Sequence, residues 1–296
     1  MARKRSLFKP ASREIWLGDR TLLMGVLNVT PDSFSDGGRH LDPDRAYARA
    51  LEMEEQGADI IDIGAESTRP GAERVSEEEE LRRLIPVLKR LRGKLGIPIS
   101  VDTYKSNVAV HACELGAEIL NDPTGLTFDP QLARVATRFD AGLILNHMRG
   151  TPETWAKLPP LSDPVTTVVA DLRASVSRAR KDGVDGQRII VDPGLGFGKR
   201  KDENLRILAE LPRLAALECP VMAGASRKSF LGQADPKALM AASAAAAVTA
   251  IYGGAHILRV HEVAEMVAAC LIADGILRVV PPPPEPPPRR ERPPRY

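Results

Sequence analysis

One pattern recurs along the chain. A short run rich in Val, Ile and Leu ends in polar or charged residues, and an amphipathic stretch follows. The runs are TLLMGVLNV (21–29), DIIDIGA (59–65), PISVDT (98–103), EILND (118–122), GLILNHM (142–148), RIIVDPG (188–194), PVMAGAS (220–226) and HILRVH (256–261). Each reads as a strand. Gly-Ala pairs announce three of them, at Gly57-Ala58, Gly116-Ala117 and Gly254-Ala255. A glycine there ends the preceding helix in a left-handed residue and turns the chain back into the sheet. The stretches between carry helix-start signals. Asp42-Pro43, Asp163-Pro164 and Asp235-Pro236 each set an N-cap acceptor before a first-turn proline. Ser76 with Glu79 reads as a capping box ahead of a periodic stretch ending near Arg92.

Eight alternations of strand and helix predict an α/β fold, a single-domain (β/α)8 TIM barrel over residues 15–280. The rival is an open doubly wound sheet, which normally carries a glycine fingerprint after its first strand. Here Val29 runs instead into Thr-Pro-Asp-Ser-Phe. Residues 1–14 read as a basic lead-in outside the barrel. Residues 281–296, with nine prolines among sixteen, read as a disordered, extended tail rich in proline and arginine.

Barrels of this kind place their active site where the strands end, because the following loops converge there. Those ends carry Asn28; Asp62 with Glu66; Asp102; Asn121 and Asp122; Asn146 and His147; Asp192; Arg227 and Lys228; and Arg259 with His261. Turn capping accounts for one or two such residues; eight out of eight points to a shared mouth. Asp102, Asn121 and Asp192 can hydrogen-bond the edge of a flat heterocycle. Lys228, Arg259 and His261 follow the seventh and eighth strands, where barrels often bind phosphate. The loops TPDSFSDGG (30–38) and ESTRPGA (66–72) combine turn residues with side chains able to grip a ligand.

Composition narrows the class. Hydrophobic residues make up 43% and charged residues 27%, which excludes a disordered chain. A net charge of +2 gives no basic face for nucleic acid. Cys113, Cys219 and Cys270 lie far apart, so neither a disulfide framework nor a zinc site is expected, and a reducing cytoplasm fits. The uncharged window 238–255 is Ala-rich, holds Ser243, Thr249 and the Gly253-Gly254 pair, and is poor in Leu, Ile and Phe. It reads as a closely packed helix, not a membrane span.

Several strings go further. LNVTPDSFSDGG, GADIIDIGAESTRPGA, SVDTYKSNVA, DPGLGFGK, GASRKSFLG and ILRVHEV resemble segments of the dihydropteroate synthase family in identity, order and spacing, from residue 21 to about 277. The resemblance implies a homodimeric (β/α)8 transferase of folate biosynthesis. Such enzymes join 6-hydroxymethyl-7,8-dihydropterin diphosphate to 4-aminobenzoate, release diphosphate, and are targets of sulfonamides. By resemblance Asn28 contacts the Mg2+ carried by the diphosphate, the cofactor expected here. Asp102, Asn121, Asp192 and Lys228 match the pterin set, with Met148 packed on its ring. Arg259 and His261 match the diphosphate pair, with Thr68 nearby, and Asp102, Lys228, Arg259 and His261 are the expected catalytic residues. Phe34, Arg69, Pro70, Lys228 and Ser229 match the walls of the aminobenzoate site.

Two departures stand out. Pro123 follows Asn121-Asp122 where relatives carry a hydrophobic residue, and Trp155-Ala156 replaces the commoner Met-Gln, outside the pocket. Pro123 leaves open a pterin-binding paralogue without synthase activity. A corrinoid-type barrel transferring a methyl group from methyl-folate is the other alternative, though it would need no grip on diphosphate.

Overall fold

The computed structural model describes residues 3–30, 42–67, 72 and 74–279. Two short strands, β1 (Ser6–Phe8) and β2 (Ile15–Leu17), form an antiparallel hairpin. Eight parallel strands follow: β3 (Leu22–Asn28), β4 (Ile60–Gly64), β5 (Ile99–Asp102), β6 (Ile119–Asp122), β7 (Gly142–Asn146), β8 (Ile189–Asp192), β9 (Met222–Ala223) and β10 (Ile257–Val260). Each lies inside one of the eight runs read from the sequence. They pair in the order β8-β7-β6-β5-β4-β3-β10-β9, and a parallel bridge between Val191 and Val221 joins the two ends into a barrel.

The helices are α1 (Pro43–Glu55), α2 (Glu77–Leu91), α3 (Ser106–Glu114), α4 (Leu132–Arg138), α5 (Pro164–Lys181), α6 (Lys201–Ala209), α7 (Pro236–Tyr252) and α8 (Val263–Val279). Asp42, Asp163 and Asp235 cap α1, α5 and α7 through backbone N–H groups, as the Asp-Pro pairs predict. The capping box at α2 is half-formed. Ser76 Oγ accepts from the Glu79 N–H, but the Glu79 carboxylate turns to Arg82 and Arg83 instead. Among the described residues, no helix is long and apolar enough to cross a membrane.

Period-two alternation sorts each strand into an outward and an inward face. The outward residues, such as Ile61, Ile63, Leu120, Leu143, Leu145 and Leu258, pack against the helices in one large core. The inward residues near the strand starts, including Met24, Ile60, Ile119, Ile144, Ile190, Met222 and Ile257, form a second, separate cluster inside the barrel.

Phe8 and Leu17 belong to that inner cluster and are fully buried. The expectation that residues 1–14 lie outside the barrel is therefore corrected: the hairpin plugs the barrel floor. Gly142 makes room for the plug, because a Cβ there would lie 2.4 Å from Phe8 Cζ. Polar groups tie the plug down. Arg3 Nη1 donates to Thr21 Oγ1 at 2.6 Å and its guanidinium pairs with Asp274, while Arg188 Nη1 donates to the Lys9 carbonyl at 2.6 Å. The signal was faint because, among the described residues of this segment, the large apolar side chains buried inside the barrel are two, Phe8 and Leu17.

Candidate active site

Two residues further along the same inward faces, the apolar cluster gives way to polar groups. Ile60 is followed by Asp62, Ile119 by Asn121, Ile144 by Asn146, Ile190 by Asp192 and Ile257 by Arg259. Arg259 is the hub: Nε donates to Asp62 Oδ2 at 2.6 Å and Nη2 to Asp102 Oδ2 at 2.7 Å. Asn121 Nδ2 donates to the same Asp62 oxygen at 3.0 Å. Asp62 Oδ1, fully buried, has no partner among the described residues.

Burial dominates the electrostatics. Burial raises the Asp102 pKa well above the usual carboxylate range, despite Arg259 beside it. Asp192 is pushed up to about 6 by burial, although its carboxylate accepts the Gly194 N–H at 2.6 Å. Lys228 is pushed down to about 8, first by burial and then by Arg259. Burial also works against the Arg259 charge, but Asp62 and Asp102 more than offset it and hold the guanidinium protonated. The mouth thus keeps an acceptor and an ammonium poised near neutrality, a frequent mark of functional sites.

The wall from β6 to β8 is closely knit. Asn146 Nδ2 donates to the Pro123 carbonyl at 2.7 Å, and Asp122 accepts from the Thr124 and Leu126 N–H groups. Pro123 therefore shapes a loop without disturbing Asn121. His147 Nε2 lies 3.0 Å from Asp171 Oδ2, and burial lowers its pKa to about 4. Phe197 is buried with its ring 4.0 Å from Lys228 Nζ, a cation–π contact. Trp155 meets the other side of Phe197 edge-on, at 5.7 Å between centroids, so this departure stands directly behind the pocket wall. Met148 lines a pocket with Asp102, Pro123, Tyr104 and Phe128.

The structure brings Asp102, Asn121, Asp192, Lys228 and Arg259 into one electrostatic cluster. His261 stands one residue past β10, its Nδ1 3.0 Å from Ser226 Oγ. Ser229 is exposed at the start of the turn after β9. Phe34, Thr68, Arg69 and Pro70 lie outside the described residues, as does the 281–296 tail. Asp62 was not in the expected ligand set, although its place two residues after an inward-facing Ile marks it as inward. Lys199 was missed too; nothing in a Gly-rich loop announces that its Nζ donates to three backbone carbonyls.

The donor set was weighed for Mg2+. No group of three or more His, Cys, Asp or Glu able to hold a metal exists among the described residues. Gly64 leaves an opening between two oxygen-bearing side chains: a Cβ there would lie 3.7 Å from Asn28 Oδ1 and 3.7 Å from Asp102 Oδ2. One amide at the rim suits an ion that takes most of its ligands from water and phosphate, not an all-protein cage. Asn28 fits that role.

Comparison with known proteins agrees with this geometry. The family model for pterin binding enzymes matches residues 24–261. The dihydropteroate synthase of Synechocystis sp. is 46% identical over 265 residues, covering 88% of this chain and 92% of the relative. The Xanthomonas albilineans dihydropteroate synthase structure with 4-aminobenzoic acid superposes with a TM-score of 0.85 at 41% identity, covering 94% of this chain and 100% of that one. The Yersinia pestis dihydropteroate synthase in its sulfonamide drug complex gives a TM-score of 0.86 at 38% identity, covering 92% and 100%. A Arg259-centred polar layer, an eight-stranded barrel and identity of this extent place the chain in the dihydropteroate synthase family of pterin-binding enzymes.

Proposed function

We propose that the barrel mouth joins 6-hydroxymethyl-7,8-dihydropterin diphosphate to 4-aminobenzoate, giving 7,8-dihydropteroate and releasing diphosphate through a dissociative displacement. The observation that carries this reading is the set formed by buried Asp62, Asn121 and Asp192 and partly buried Asp102 and Arg259, with Lys228 at its rim. Asp192, once ionised, accepts from the amino and ring N–H groups of the pterin in charge-assisted hydrogen bonds. Asn121 offers both a donor and an acceptor to the same flat edge. The dihydropterin ring feeds electron density into its exocyclic methylene carbon. The C–O bond to diphosphate breaks first, its electron pair leaving with the oxygen. The neutral arylamine then forms the C–N bond and gives up one proton, so no general base is required.

Stabilising the departing charge is the main task left to the protein. Arg259, Lys228 and His261 serve it. With Nε and Nη2 of Arg259 engaged by Asp62 and Asp102, Nη1 is the nitrogen left for an anion. Mg2+, when bound with the diphosphate, neutralises part of its charge, and Asn28 is the residue that would hold it. Thr68 completes the diphosphate side, Met148 packs on the pterin, and Phe34, Arg69, Pro70, Lys228 and Ser229 wall the aminobenzoate site.

The same reading takes the active form to be a homodimer. Leu271, Ile272, Ile276 and Val279 stay exposed on α8, at 45–79%, and the last three follow a helical i, i+4, i+7 spacing. A stripe of that kind marks an interface. Its location is the cytoplasm, where the three free cysteines stay reduced.

Purified protein given both substrates and Mg2+ tests the function. Equal amounts of dihydropteroate and diphosphate are expected. No product from a folded sample would favour a non-catalytic pterin binder, and methyl transfer from methyl-folate would favour the corrinoid-type alternative. Sedimentation of an Ile272→Asp, Ile276→Asp double variant tests the dimer, which should fall to monomer.

A further inference from the structure

The segment from Asp192 to Lys199 reads DPGLGFGK and leaves the end of β8 as a coil with glycines at alternate positions. Gly194, Gly196 and Gly198 have φ of 66°, 83° and 67°. At Gly194 the requirement is absolute, because a Cβ would lie 1.9 Å from the His147 carbonyl oxygen. This left-handed path turns two of its carbonyls, those of Gly194 and Phe197, toward the His147 carbonyl, and Lys199 Nζ lies among the three. The ammonium donates to the carbonyls of Gly194 at 2.7 Å, His147 at 3.0 Å and Phe197 at 3.1 Å. Three donors meet three acceptors, which satisfies an ammonium in full.

Those three carbonyls are not arbitrary. Gly194 is the residue whose N–H is bound by the Asp192 carboxylate at 2.6 Å. Phe197 is the residue whose ring lies against Lys228 Nζ. His147 ends β7 and links the coil to the neighbouring strand. Asn204 of α6 supports the coil from below, accepting the Gly196 N–H at 2.7 Å and donating to the Lys199 carbonyl at 3.1 Å. Arg149 covers it from outside, its Nη1 donating to the Gly198 carbonyl at 3.3 Å.

We propose that Lys199 is a positioning residue: its ammonium gathers the carbonyls of His147, Gly194 and Phe197 and so holds the β8 coil in the shape that aims Asp192 at the pterin and seats Phe197 against Lys228. Lys199 touches no substrate; it acts through the coil. This inference rests on the pterin reading given above. A neutral amine has only two N–H donors and cannot serve three carbonyls, so the charge is part of the device. Burial lowers the Lys199 pKa to about 7, with Asp192 opposing. The charged groups facing it are Asp192 and Glu203, which favour the ammonium, and Lys228 and Arg149, which disfavour it. His147, neutral above about 4, and Asp171 complete its surroundings.

The chain carries its own reporter. Of its two tryptophans, Trp16 is half exposed on the floor hairpin, and Trp155 packs on Phe197 and on Gly198, where a Cβ would come within 2.9 Å of its ring. In a Trp16→Phe background, emission therefore follows the β8 coil alone. Lys199→Met in that background should shift the Trp155 emission and raise KM for the dihydropterin diphosphate by about tenfold to 100-fold, as a displaced contact does. KM for 4-aminobenzoate should stay within twofold. Lys199→Gln, which keeps two N–H donors without the charge, should fall between. Leu172→Ala, a cavity on the buried face of α5, controls for lost stability and should leave both KM values unchanged. An unchanged pterin KM and unchanged emission in folded Lys199→Met would overturn the proposal while leaving the synthase reading intact. A parent enzyme that makes no dihydropteroate would overturn that reading instead. If neither Lys199 variant folds, emission of the Trp16→Phe, Lys228→Met chain from pH 6.5 to 11, across the full range in which a lysine loses its proton, decides. A step there supports the charged hub, and a flat trace refutes it.

Discussion

The lower and upper layers of the barrel interior are built by the same strands, on the same face, two residues or about 6.6 Å apart. They solve opposite problems. Below, Met24, Ile60, Ile119, Ile144, Ile190, Met222 and Ile257 close on Phe8 and Leu17, and Arg3, Thr21 and Asp274 beside them pair with one another, the orphaned groups being the neutral hydroxyls of Ser6 and Ser100. Above, Asp62, Asn121, Asp192 and Arg259 put charge where burial disfavours it and leave Asp62 Oδ1 without a partner. Such an arrangement is weak as a source of stability, since desolvation cancels much of the ion-pair attraction. The lower layer holds the barrel closed, and the upper layer spends some of that stability on recognition.

The sharpest way to break the contrast is to damage each layer alone. Phe8→Ala should cost about 3–5 kcal/mol of stability, because the plug has no other side chain to collapse into its place. KM and turnover below the new melting temperature should not change. Denaturant unfolding with parallel assays checks both, and a KM shift would show that the floor and mouth are coupled. Arg259→Ala attacks the other layer. Turnover should fall about 100- to 1,000-fold, the 2.7–4 kcal/mol typical of losing one donor to developing charge. Near-normal turnover would mean that this arginine serves only Asp62 and Asp102.

The layers also differ in how visible they were. Strand runs such as DIIDIGA and RIIVDPG show where polarity begins, and the period of two then says which residues face inward. That rule finds Asp192 from Ile190 and would have promoted Asp62 from Ile60. The hairpin escaped notice because SLFKPASREIWL carries no long alternation, and its burial depends on a barrel floor assembled from eight distant segments. Lys199 escaped because its partners are backbone carbonyls, which sequence does not display. Trp155 looked peripheral for a similar reason: its contact with Phe197 spans 42 positions.

pH separates the layers more gently. Asp192 is held near 6 in the folded chain, above an ordinary aspartate at 3.8. Between those values the folded state binds a proton that the unfolded chain has lost. Stability contributed by this group is therefore full below about pH 4 and declines as pH rises to about 6, after which it is constant. Pterin binding should run the other way, tightening through the same window as the carboxylate ionises. Calorimetric melting and pterin titration from pH 4 to 7 should show these opposed slopes, and Asp192→Asn should flatten its share of both. Parallel slopes would mean that Asp192 binds the pterin in its protonated form.

The smallest effect is expected where the chain leaves the barrel. Barrel helices run opposite to the strands, so α8 ends on the floor side; Arg278 lines the same surface groove as Arg13, Ile15, Trp16 and Leu22 of the hairpin region. The sequence continues from there into PPPPEPPPRRERPPRY. Proline lacks the N–H that a strand or helix ladder needs, and the seven residues that are not proline are charged or, in one case, tyrosine, so little apolar surface is available to bury. Truncation after Val280 should leave KM, turnover and melting temperature unchanged. A fall in melting temperature with intact turnover would assign the segment to the floor and add it to the plug. A loss of turnover without a change in melting temperature would be the more damaging result, because it would carry an effect from the floor end of the chain to the mouth.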